Sequence, residues 1–429
     1  MRTLSTASQA FINACTTLDS DEQWFSSLKK CALESFSQQG LPTVRNEAWK
    51  YTSLKHLDHI EWSEVTDDHD AGELTWLVEG DTHRLVFVNG RFNNSLSTVG
   101  DLPDGAFIGS LAEALVSESD LLETYLGKIA NCKDSPLIAL NAAHMEDGFV
   151  ILLRNVQLTK SIEIIHVGRP NGLSIAYHPR NLVVVDHQSK MNLIEQFTGA
   201  NAGAYFANSV IEIIVEGGSQ LEHHRVFSDG AEALSLASTS VKVGKSSSYT
   251  SLVLSKGGQL LRNDLHIMLD AAGAQTKLGG VYMATGDQHV DHTTVIEHLK
   301  AHTTSDQVFK GALNGMARGV FQGNIIVHKG ADGADGQLSN KTLLLSPGTE
   351  IDSKPQLEIY ADDVKCAHGS TAGELDEEAL FYLRSRGIPE IQAKAMLVNG
   401  FLSEVTEEFD TGKLANTFQE HIANWMGVE

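Results

Sequence analysis

Short runs of β-branched and other apolar residues alternate with polar residues through the middle of the chain, from about residue 136 to residue 360. Each run leads into a small polar corner and then into a second run of the same kind. Equivalent apolar positions in four such stretches are 30, 28 and 26 residues apart, at Val185, Val215, Val243 and Leu269. The four stretches are NLVVVDHQSKMNLIEQF, IEIIVEGGSQLEHHRVF, TSVKVGKSSSYTSLVLS and DLHIMLDAAGAQTKLGGVY.

This repeat predicts a mainly β protein whose core is a parallel β-helix. An imperfect period of this length, with two strands in each period, is typical of the coils of a stacked solenoid. Each coil buries its inward residues only against its neighbours, which explains why no single stretch looks like a self-sufficient sheet. A β-sandwich also has short, regularly spaced strands and is the alternative. We favour the β-helix because the corners repeat at matching positions in every unit.

Helical periodicity flanks the predicted core on both sides. Apolar residues recur at helical spacing through residues 1–60 and 110–133, and RLVFVNGRFNNSLS between them indicates strands joined by a tight turn at Asn-Gly. After residue 370, ELDEEALFYLRSRGI begins with acidic and ends with basic residues, as the helix dipole favours. The predicted regions are residues 1–135, mainly helical; 136–365, the parallel β-helix core; and 366–429, a helical domain.

The C-terminal helices carry more apolar residues than one helical hairpin can bury against itself. We expect this surplus either to pack on the β-helix or to form a binding site for a partner. The residues are Leu380, Phe381, Leu383, Ile391, Met396, Leu397, Phe401 and Leu402.

Composition excludes several classes of protein. The chain has 429 residues, of which 42% are hydrophobic and 20% charged, so a sizeable core is expected and global disorder is not. Its formal net charge of −23 argues against binding to nucleic acid, whose phosphates need clustered cations, and against an anionic membrane surface.

The cysteines and the apolar segments predict a soluble, cytoplasmic protein. The four cysteines form no Cys-x-x-Cys pair, and a large chain with so few cysteines needs no disulfide framework. The N-terminal segment lacks the continuous apolar core of a signal peptide. Nowhere do 18 apolar residues run together, so we expect no membrane span.

The histidine-rich run DQHVDHTTVIEH offers candidate ligands for zinc or ferrous iron. On a strand, however, His289 and Asp291 share one face while His292 takes the other. Polar residues on the surface of a β-helix or at an interface therefore explain the run better than a metal site does. A metal-dependent β-helix enzyme that uses these three residues is the alternative function.

Other enzyme signatures are missing from the sequence. The glycine-rich HKGADGADGQLSN lacks the spacing and the terminal Lys-Ser/Thr of a Walker A motif. There is no Gly-x-Ser-x-Gly elbow, no dinucleotide fingerprint and no recognisable pair of catalytic carboxylates. The motifs of the sequence therefore give little support to an enzyme.

The stretch YADDVKCAHGST places a cysteine two residues before a histidine. In an extended segment, the side chains of Cys366 and His368 point to the same face, with Cβ atoms about 6.5–7 Å apart. Thiolate and imidazole are suitable ligands for iron in clusters. Two ligands are too few for a permanent site, so a second chain has to complete it. On spacing alone, the end of an ordinary strand explains the pair better than a metal site does.

Three long stretches of the chain resemble the SufB/SufD family of iron–sulfur cluster assembly proteins. KPQLEIYADDVKCAHGSTAGELDEEALFYLRSRGI resembles the C-terminal signature of the family, with Ala367 where a serine is common. RNEAWKYTSL resembles a segment typical of the SufD branch. HTTSDQVFKGALNGMARGVFQGNIIVHKGADGADGQLSNKTLLLS fits the core of the family.

The resemblance implies a non-catalytic scaffold with a helical N-terminal part, a right-handed parallel β-helix and a C-terminal helical domain. It implies that the core pairs with SufB and that the C-terminal helices bind the ATPase SufC. A homodimer is a further expectation when SufB is missing, because a β-helix with an open end leaves strands unpaired.

For the site, the resemblance implies a nascent iron–sulfur cluster at the interface with SufB. Carried onto this sequence, the implicated histidine is His368, with Cys366 as a helper. The cluster is expected to be transient and shared with SufB, with no cofactor permanently bound to the isolated chain. The nucleotide cycle of SufC would move the two scaffold chains and release the cluster. FADH2 is associated with such complexes, but no flavin fingerprint is visible and we assign none.

Overall fold

Two ten-stranded sheets wind around a common core in the computed structural model, which describes residues 4–15, 20–63, 65, 71–78, 80–201, 203–409 and 414–426. The first sheet consists, in spatial order, of β2 (Arg91–Phe92), β1 (His83–Val88), β5 (Ile162–Gly168), β8 (Lys190–Gly199), β10 (Gln220–Ser228), β12 (Ser248–Ser255), β14 (Gln275–Ala284), β16 (Thr304–Leu313), β18 (Asp335–Leu344) and β20 (Lys365–Gly373). The second sheet consists of β19 (Glu350–Ile359), β17 (Arg318–Val327), β15 (His289–His298), β13 (Leu260–Leu269), β11 (Ala233–Val243), β9 (Tyr205–Val215), β7 (Arg180–Asp186), β4 (Phe149–Arg154) and β3 (Ala106–Ser110), with β6 (Ile175–Tyr177) beside β9.

The repeat in the sequence corresponds to the register of the second sheet. Val185 pairs with Val215, Val215 with Val243, and Val243 with Leu269, each on the neighbouring parallel strand. All four side chains are buried in the core that the two sheets enclose. The predicted parallel β-helix is therefore confirmed, and the β-sandwich alternative is wrong because its strands would pair antiparallel.

The interior of the β-helix also holds paired polar groups. The buried carboxylate of Glu195 accepts hydrogen bonds from Nε2 of His166, at 3.2 Å, and from Nε2 of His223, at 2.6 Å. Burial opposes the ionisation of Glu195, but these two contacts outweigh it and hold the pKa of the carboxyl well below its usual range. His166 and His223 thus satisfy a buried charge inside the β-helix.

Antiparallel strands end both sheets on the N-terminal side. The predicted turn at Asn89-Gly90 joins β1 to β2, and its two residues have φ values of 50° and 79°. Left-handed values at both central positions are what a tight hairpin requires, and Asn and Gly adopt them at little cost. On the second sheet, β3 pairs antiparallel with β4.

The N-terminal helices cover the outer face of the second sheet. They are α1 (Thr6–Ala14), α2 (Gln23–Gln39), α3 (Leu111–Ser117), α4 (Ser119–Tyr125) and α5 (Pro136–His144), with short 3₁₀ turns at Glu47–Trp49 and Lys55–His59. A buried ion pair fixes them: Arg180 donates to Glu212 at 2.6 Å, with both side chains inaccessible to solvent. The same carboxylate accepts the backbone N–H groups of Gly127, Ile129 and Ala130, before α5.

The C-terminal helices fold back along the outer face of the first sheet. They are α6 (Glu377–Ser385), α7 (Glu390–Glu407) and α8 (Ala415–Trp425), and Asp376 caps α6 through the N–H groups of Glu378 and Ala379. Lys310 of β16 anchors α7 by donating to the carbonyl of Phe401, at 3.1 Å, and to Glu404. None of the described helices combines the length and apolar character needed to span a membrane.

The division into residues 1–135, 136–365 and 366–429 stays a prediction of domain organisation. Strands β1 to β3 precede residue 136 along the chain, and β20 continues the first sheet from residue 365 to residue 373.

Candidate functional site

Cys366 and His368 lie on β20, the last strand of the first sheet. Cys366 pairs with Gly336 of β18, and His368 pairs with Leu338, whose side chain is buried in the core. Because side chains of one register column point the same way in a parallel sheet, both residues face the interior of the β-helix. The prediction that they share a face is confirmed by this register.

No further coil covers this face within the described residues, because β20 and β19 are the terminal strands of their sheets. Every residue of β19 and β20 is half-buried or exposed, whereas every residue of β9, near the middle of the second sheet, is buried. We call the inward-facing residues of β19 and β20 the open end of the β-helix. These residues form a surface, whereas the equivalent residues of earlier coils are covered by the next coil.

Polar and apolar side chains share the open end. Ser353 of β19 and Ser370 of β20 meet across it, with 2.6 Å between their hydroxyl oxygens. Asn340 of β18, one coil deeper, donates to the hydroxyl of Ser353 at 3.3 Å. Ile351 and Leu357 of β19 pack on the core from the same side and stay partly accessible. The open end thus offers both apolar contact area and hydrogen-bonding groups to an approaching chain.

The two candidate ligands differ in their surroundings. His368 is exposed, whereas Cys366 is half-buried and packs against the core. Burial raises the pKa of the Cys366 thiol, and the nearby carboxylate of Asp335 acts in the same direction. Cys366 is therefore a thiol near pH 7, and a bound metal ion would favour its thiolate, while the imidazole of His368 is accessible from solvent.

The open end by itself supplies only part of a coordination shell. Across the described residues, no group of three or more His, Cys, Asp and Glu side chains is placed to hold a metal ion. Cys366 and His368 are a thiol and an imidazole on one face, which is a suitable pair for iron. The described residues supply no third ligand beside this pair.

The histidine-rich run does not form a single site. His289 and Asp291 of β15 face outward and both contact the hydroxyl of Thr52, which lies 3.0 Å from Nε2 of His289 and donates to Asp291. His292 faces inward, where Nδ1 lies 3.2 Å from the amide nitrogen of Asn263. The predicted split between the two faces of the strand is confirmed, so the two histidines are not positioned to bind the same metal ion.

Burial also affects the chemistry of these two histidines. Burial, reinforced by Arg318 and Arg262, lowers the pKa of His289 to about 4. Burial, reinforced by Arg225, lowers the pKa of His292 to about 3. Both imidazoles are consequently neutral near pH 7.

The outward-facing pair instead anchors the N-terminal segment RNEAWKYTSL. Arg262 of β13 donates to Asp291 at 2.6 Å and stacks on Trp49, with 3.9 Å from its guanidinium carbon to the ring centroid. The side-chain amide of Gln322 donates to the carbonyl of Ala48 at 3.2 Å. Arg262 also pairs with Asp264, two residues further along, at 2.8 Å. The sequence does not indicate its contacts with Asp291 and Trp49, because both lie more than 25 residues away along the chain.

The surplus of apolar residues on the C-terminal helices is divided between the core and the surface. Leu402 of α7 is buried against the first sheet together with Val398 and Val405. Exposed apolar residues remain on α6 and on the first half of α7, including Tyr382, which is absent from the predicted surplus. These residues, the α6–α7 surface, are Phe381, Tyr382, Ile391 and Met396.

Known protein families match the chain over most of its length. A model described as the SufBD protein N-terminal region matches residues 9–164. A model described as the SUF system FeS cluster assembly SufBD core domain matches residues 168–401, more than half of the chain. The chain belongs to the SufBD family. The core match includes β20, so the Cys-x-His pair lies within the family domain rather than beside it.

Individual relatives agree with the family assignment. The chain is 29% identical to the iron–sulfur cluster assembly protein SufD of Escherichia coli over 87% of each chain. It is also 29% identical to an iron–sulfur cluster assembly SufBD family protein of Synechocystis, over 89% of this chain and 87% of the relative. The SufD protein of Bacillus subtilis is 24% identical over 93% of both chains. The protein is therefore a homologue of SufD.

Proposed function

We propose that this SufBD protein is a non-catalytic scaffold subunit that helps to form and transfer nascent iron–sulfur clusters at an interface with SufB. The observation that carries the proposal is the position of Cys366 and His368, side by side on the uncovered interior face of the last coil. Ligands in this position are open to a second chain and are held by a rigid sheet.

The open end is the proposed surface for SufB. The terminal strands β19 and β20 leave one edge of each sheet unpaired within the described chain, and such edges pair readily with strands of another protein. A partner that covered Ile351 and Leu357 would remove apolar surface from water and would bring its own side chains next to His368. The same open edges support a homodimer when SufB is missing.

The ligand set favours a transient cluster. His368 and Cys366 would supply an imidazole and a sulfur, and SufB would supply the remaining thiolates. Because binding is shared between two chains, a relative movement of the chains would weaken it and release the cluster. The cluster is the cargo of the complex in this scheme, and the isolated chain holds no permanent cofactor.

The α6–α7 surface is the proposed docking site for the ATPase SufC. Phe381 and Ile391 are 73% and 68% exposed, which is high for large apolar residues on neighbouring helices. Helix α7 is anchored on the first sheet by Lys310, so a movement of the bound ATPase would be transmitted to the β-helix. The sequence carries no Walker A motif, which accords with energy supplied by another subunit.

The experiment that tests the proposal is cluster loading of the reconstituted complex with SufB and SufC. We expect His368→Ala to reduce the iron and acid-labile sulfide bound per complex, without preventing assembly of the three proteins. His266→Ala is the matched control, since His266 is a half-exposed histidine on the outer face of the second sheet. Cys366→Ser is expected to have a smaller effect. If complexes with His368→Ala bind as much iron and sulfide as complexes with His266→Ala, the assignment of the site is wrong.

The alternative of a metal-dependent enzyme that uses His289, Asp291 and His292 has little geometric support. Asp291 is paired with Arg262, and His292 faces the interior. Purification of the chain alone tests the alternative. A stoichiometric metal ion retained by the isolated chain, and lost from His289→Ala, would favour the enzyme over the scaffold.

A further inference from the structure

Two cysteines outside the proposed site face each other across the contact between α2 and the segment that leads into α5. Sγ of Cys31, on α2, lies 3.9 Å from Sγ of Cys132, although the two residues are 101 positions apart. Cys31 is exposed and Cys132 is buried. Nothing in the proposed scaffold function uses either thiol.

The neighbouring contacts hold the two cysteines in this arrangement. Ser35, one helical turn after Cys31, donates a hydrogen bond of 2.8 Å to the backbone carbonyl of Cys132. On the other side, the N–H of Ala130 donates to the buried carboxylate of Glu212, at 3.1 Å. Hydrogen bonds on both sides of Cys132 therefore hold it next to Cys31.

Apolar packing adds to these hydrogen bonds. Ala32 and Phe36 of α2 are buried in the same cluster as Cys132 and as Leu137 and Leu140 of α5. The two sulfur atoms have to approach by about 2 Å from their 3.9 Å separation to reach the length of a disulfide bond.

We propose that Cys31 and Cys132 are a modification site, at which a hydroperoxide converts the two thiols into a reversible disulfide. The exposed sulfur of Cys31 attacks one peroxide oxygen, the O–O bond breaks, and water or an alcohol leaves with the thiol proton. Cys31 is then a sulfenic acid. The sulfur of Cys132 attacks the sulfur of Cys31, the S–O bond breaks, and hydroxide leaves as water with the proton of Cys132. The two thiols lose two electrons, which reduce the peroxide.

The environments of the two cysteines fit these different roles. Solvent reaches Cys31, so the peroxide meets this thiol first. Burial raises the pKa of the Cys132 thiol, and the proximity of Cys31 raises it further, so Cys132 stays protonated and is shielded from direct oxidation. Cys132 attacks as a thiolate, so its raised pKa slows this step near neutral pH, while the 3.9 Å separation of the two sulfur atoms favours it over further oxidation.

The disulfide would link the N-terminal helices covalently to the part of the chain that Glu212 anchors. It would close a loop of about 100 residues, and a long closed loop restricts the unfolded chain strongly. Oxidation would therefore stabilise the attachment of α2 to the β-helix, and a dithiol reductant would reverse the effect.

The test treats the full-length protein with hydrogen peroxide and maps its peptides by mass spectrometry without reduction. We expect the loss of two of the four free thiols, a peptide that joins residues 31 and 132, a melting temperature raised by several degrees, and recovery with dithiothreitol. Cys15→Ser is the matched control and should behave like the wild type. Cys15 is half-buried, and its thiol donates to the carbonyl of Ala143 at 3.4 Å.

Cys31→Ser and Cys132→Ser are each expected to abolish the joined peptide and the rise in melting temperature. Over-oxidation of Cys31 to a sulfinic acid in the wild type, with Cys132 still a free thiol, would overturn the proposal. So would a disulfide that joins two chains through Cys31. Both results are read from the wild-type protein, so the test holds even if a serine variant folds poorly.

Discussion

The two ends of the β-helix differ in how far their inward-facing side chains are buried. At the N-terminal end, Leu85 and Phe87 of β1 are completely buried, because Phe92, Val99 and Leu102 pack across the core. At the other end, the residues in equivalent inward positions are accessible, His368 among them. The described residues after β20 do not cover them, since α7 and α8 pack on the outer face of the first sheet.

This difference separates a closed end from an end that a second chain would cover in the proposed function. The N-terminal end is closed by antiparallel strands, while the last coil ends with parallel edges and a thiol and an imidazole on its interior face. A solenoid protein without a binding partner at its end needs a capping segment over its last coil. The open end of this SufBD protein is therefore best explained as an interface, which is the basis of the proposed shared cluster site.

The largest expected effect comes from removal of one buried carboxylate on β9, near the middle of the second sheet. Glu212→Ala leaves Arg180 buried without its partner, which is expected to lower the free energy of unfolding by about 3–5 kcal/mol. The matched control near the open end is Asp352→Ala, since Asp352 pairs with Arg318 at the same distance of 2.6 Å but in partial contact with water. We expect the control to cost less than about 1 kcal/mol.

Chemical denaturation of the two variants measures this contrast. An equal loss of stability would show that the partly exposed ion pair next to the open end matters as much for folding as the buried pair under the N-terminal helices.

A second contrast uses two residues of one register column of the second sheet. Ile296 pairs with Ile325, which pairs with Leu357 at the open end. We expect Ile296→Ala to cost about 2–5 kcal/mol because it leaves a cavity in a fully buried position. Leu357→Ala is expected to cost clearly less in the isolated chain, as Leu357 is only partly buried.

Binding of SufB adds a second measurement to this pair. Leu357→Ala should weaken the complex, whereas Ile296→Ala should leave the affinity of the remaining folded protein unchanged. Weaker binding of SufB by Ile296→Ala than by Leu357→Ala would contradict an interface at the open end.

A smaller effect concerns pH and the buried His292. Burial lowers the pKa of His292 to about 3 in the folded protein, against about 6.5 in the unfolded chain. Between about pH 3 and about pH 6.5 the unfolded chain therefore binds a proton at His292 that the folded protein does not bind. Stability is therefore present above about pH 6.5 and falls on acidification, by up to about 1.4 kcal/mol per pH unit for this one group.

Replacement of His292 by asparagine should flatten the dependence of the unfolding free energy on pH between pH 5 and 6.5, whatever the absolute stability of the variant. His368→Ala is the control, in which an exposed imidazole at the open end is removed. An equal flattening in both variants would show that the buried interior position is not the cause.

The parts of the fold that depend on local periodicity could be predicted from the sequence. Val185, Val215 and Val243 mark the register because each coil repeats the same inward position at nearly constant spacing. The shared face of Cys366 and His368 follows in the same way from the two-residue period of a strand. Which face this is could not be predicted, because it depends on pairing with Gly336 and Leu338 about 30 residues earlier.

Contacts between distant segments escaped prediction altogether. Trp49 stacks on Arg262, and Cys31 approaches Cys132, but neither pair has a local pattern that indicates its partner. His289 and Asp291 looked like metal ligands because the sequence does not show that Thr52 and Arg262 already contact them. The sequence thus shows which residues could bind a metal or react, whereas the tertiary structure decides whether other side chains already contact them.

Hydrogen–deuterium exchange of the chain with and without SufB tests most directly whether SufB covers the open end, with Cys366 and His368. We predict that exchange at residues 350–359 and 365–373 slows strongly on binding, while exchange at residues 83–88 at the closed end is unchanged. Protection elsewhere on the protein, with residues 365–373 exchanging as fast as in the free chain, would contradict an interface at the open end.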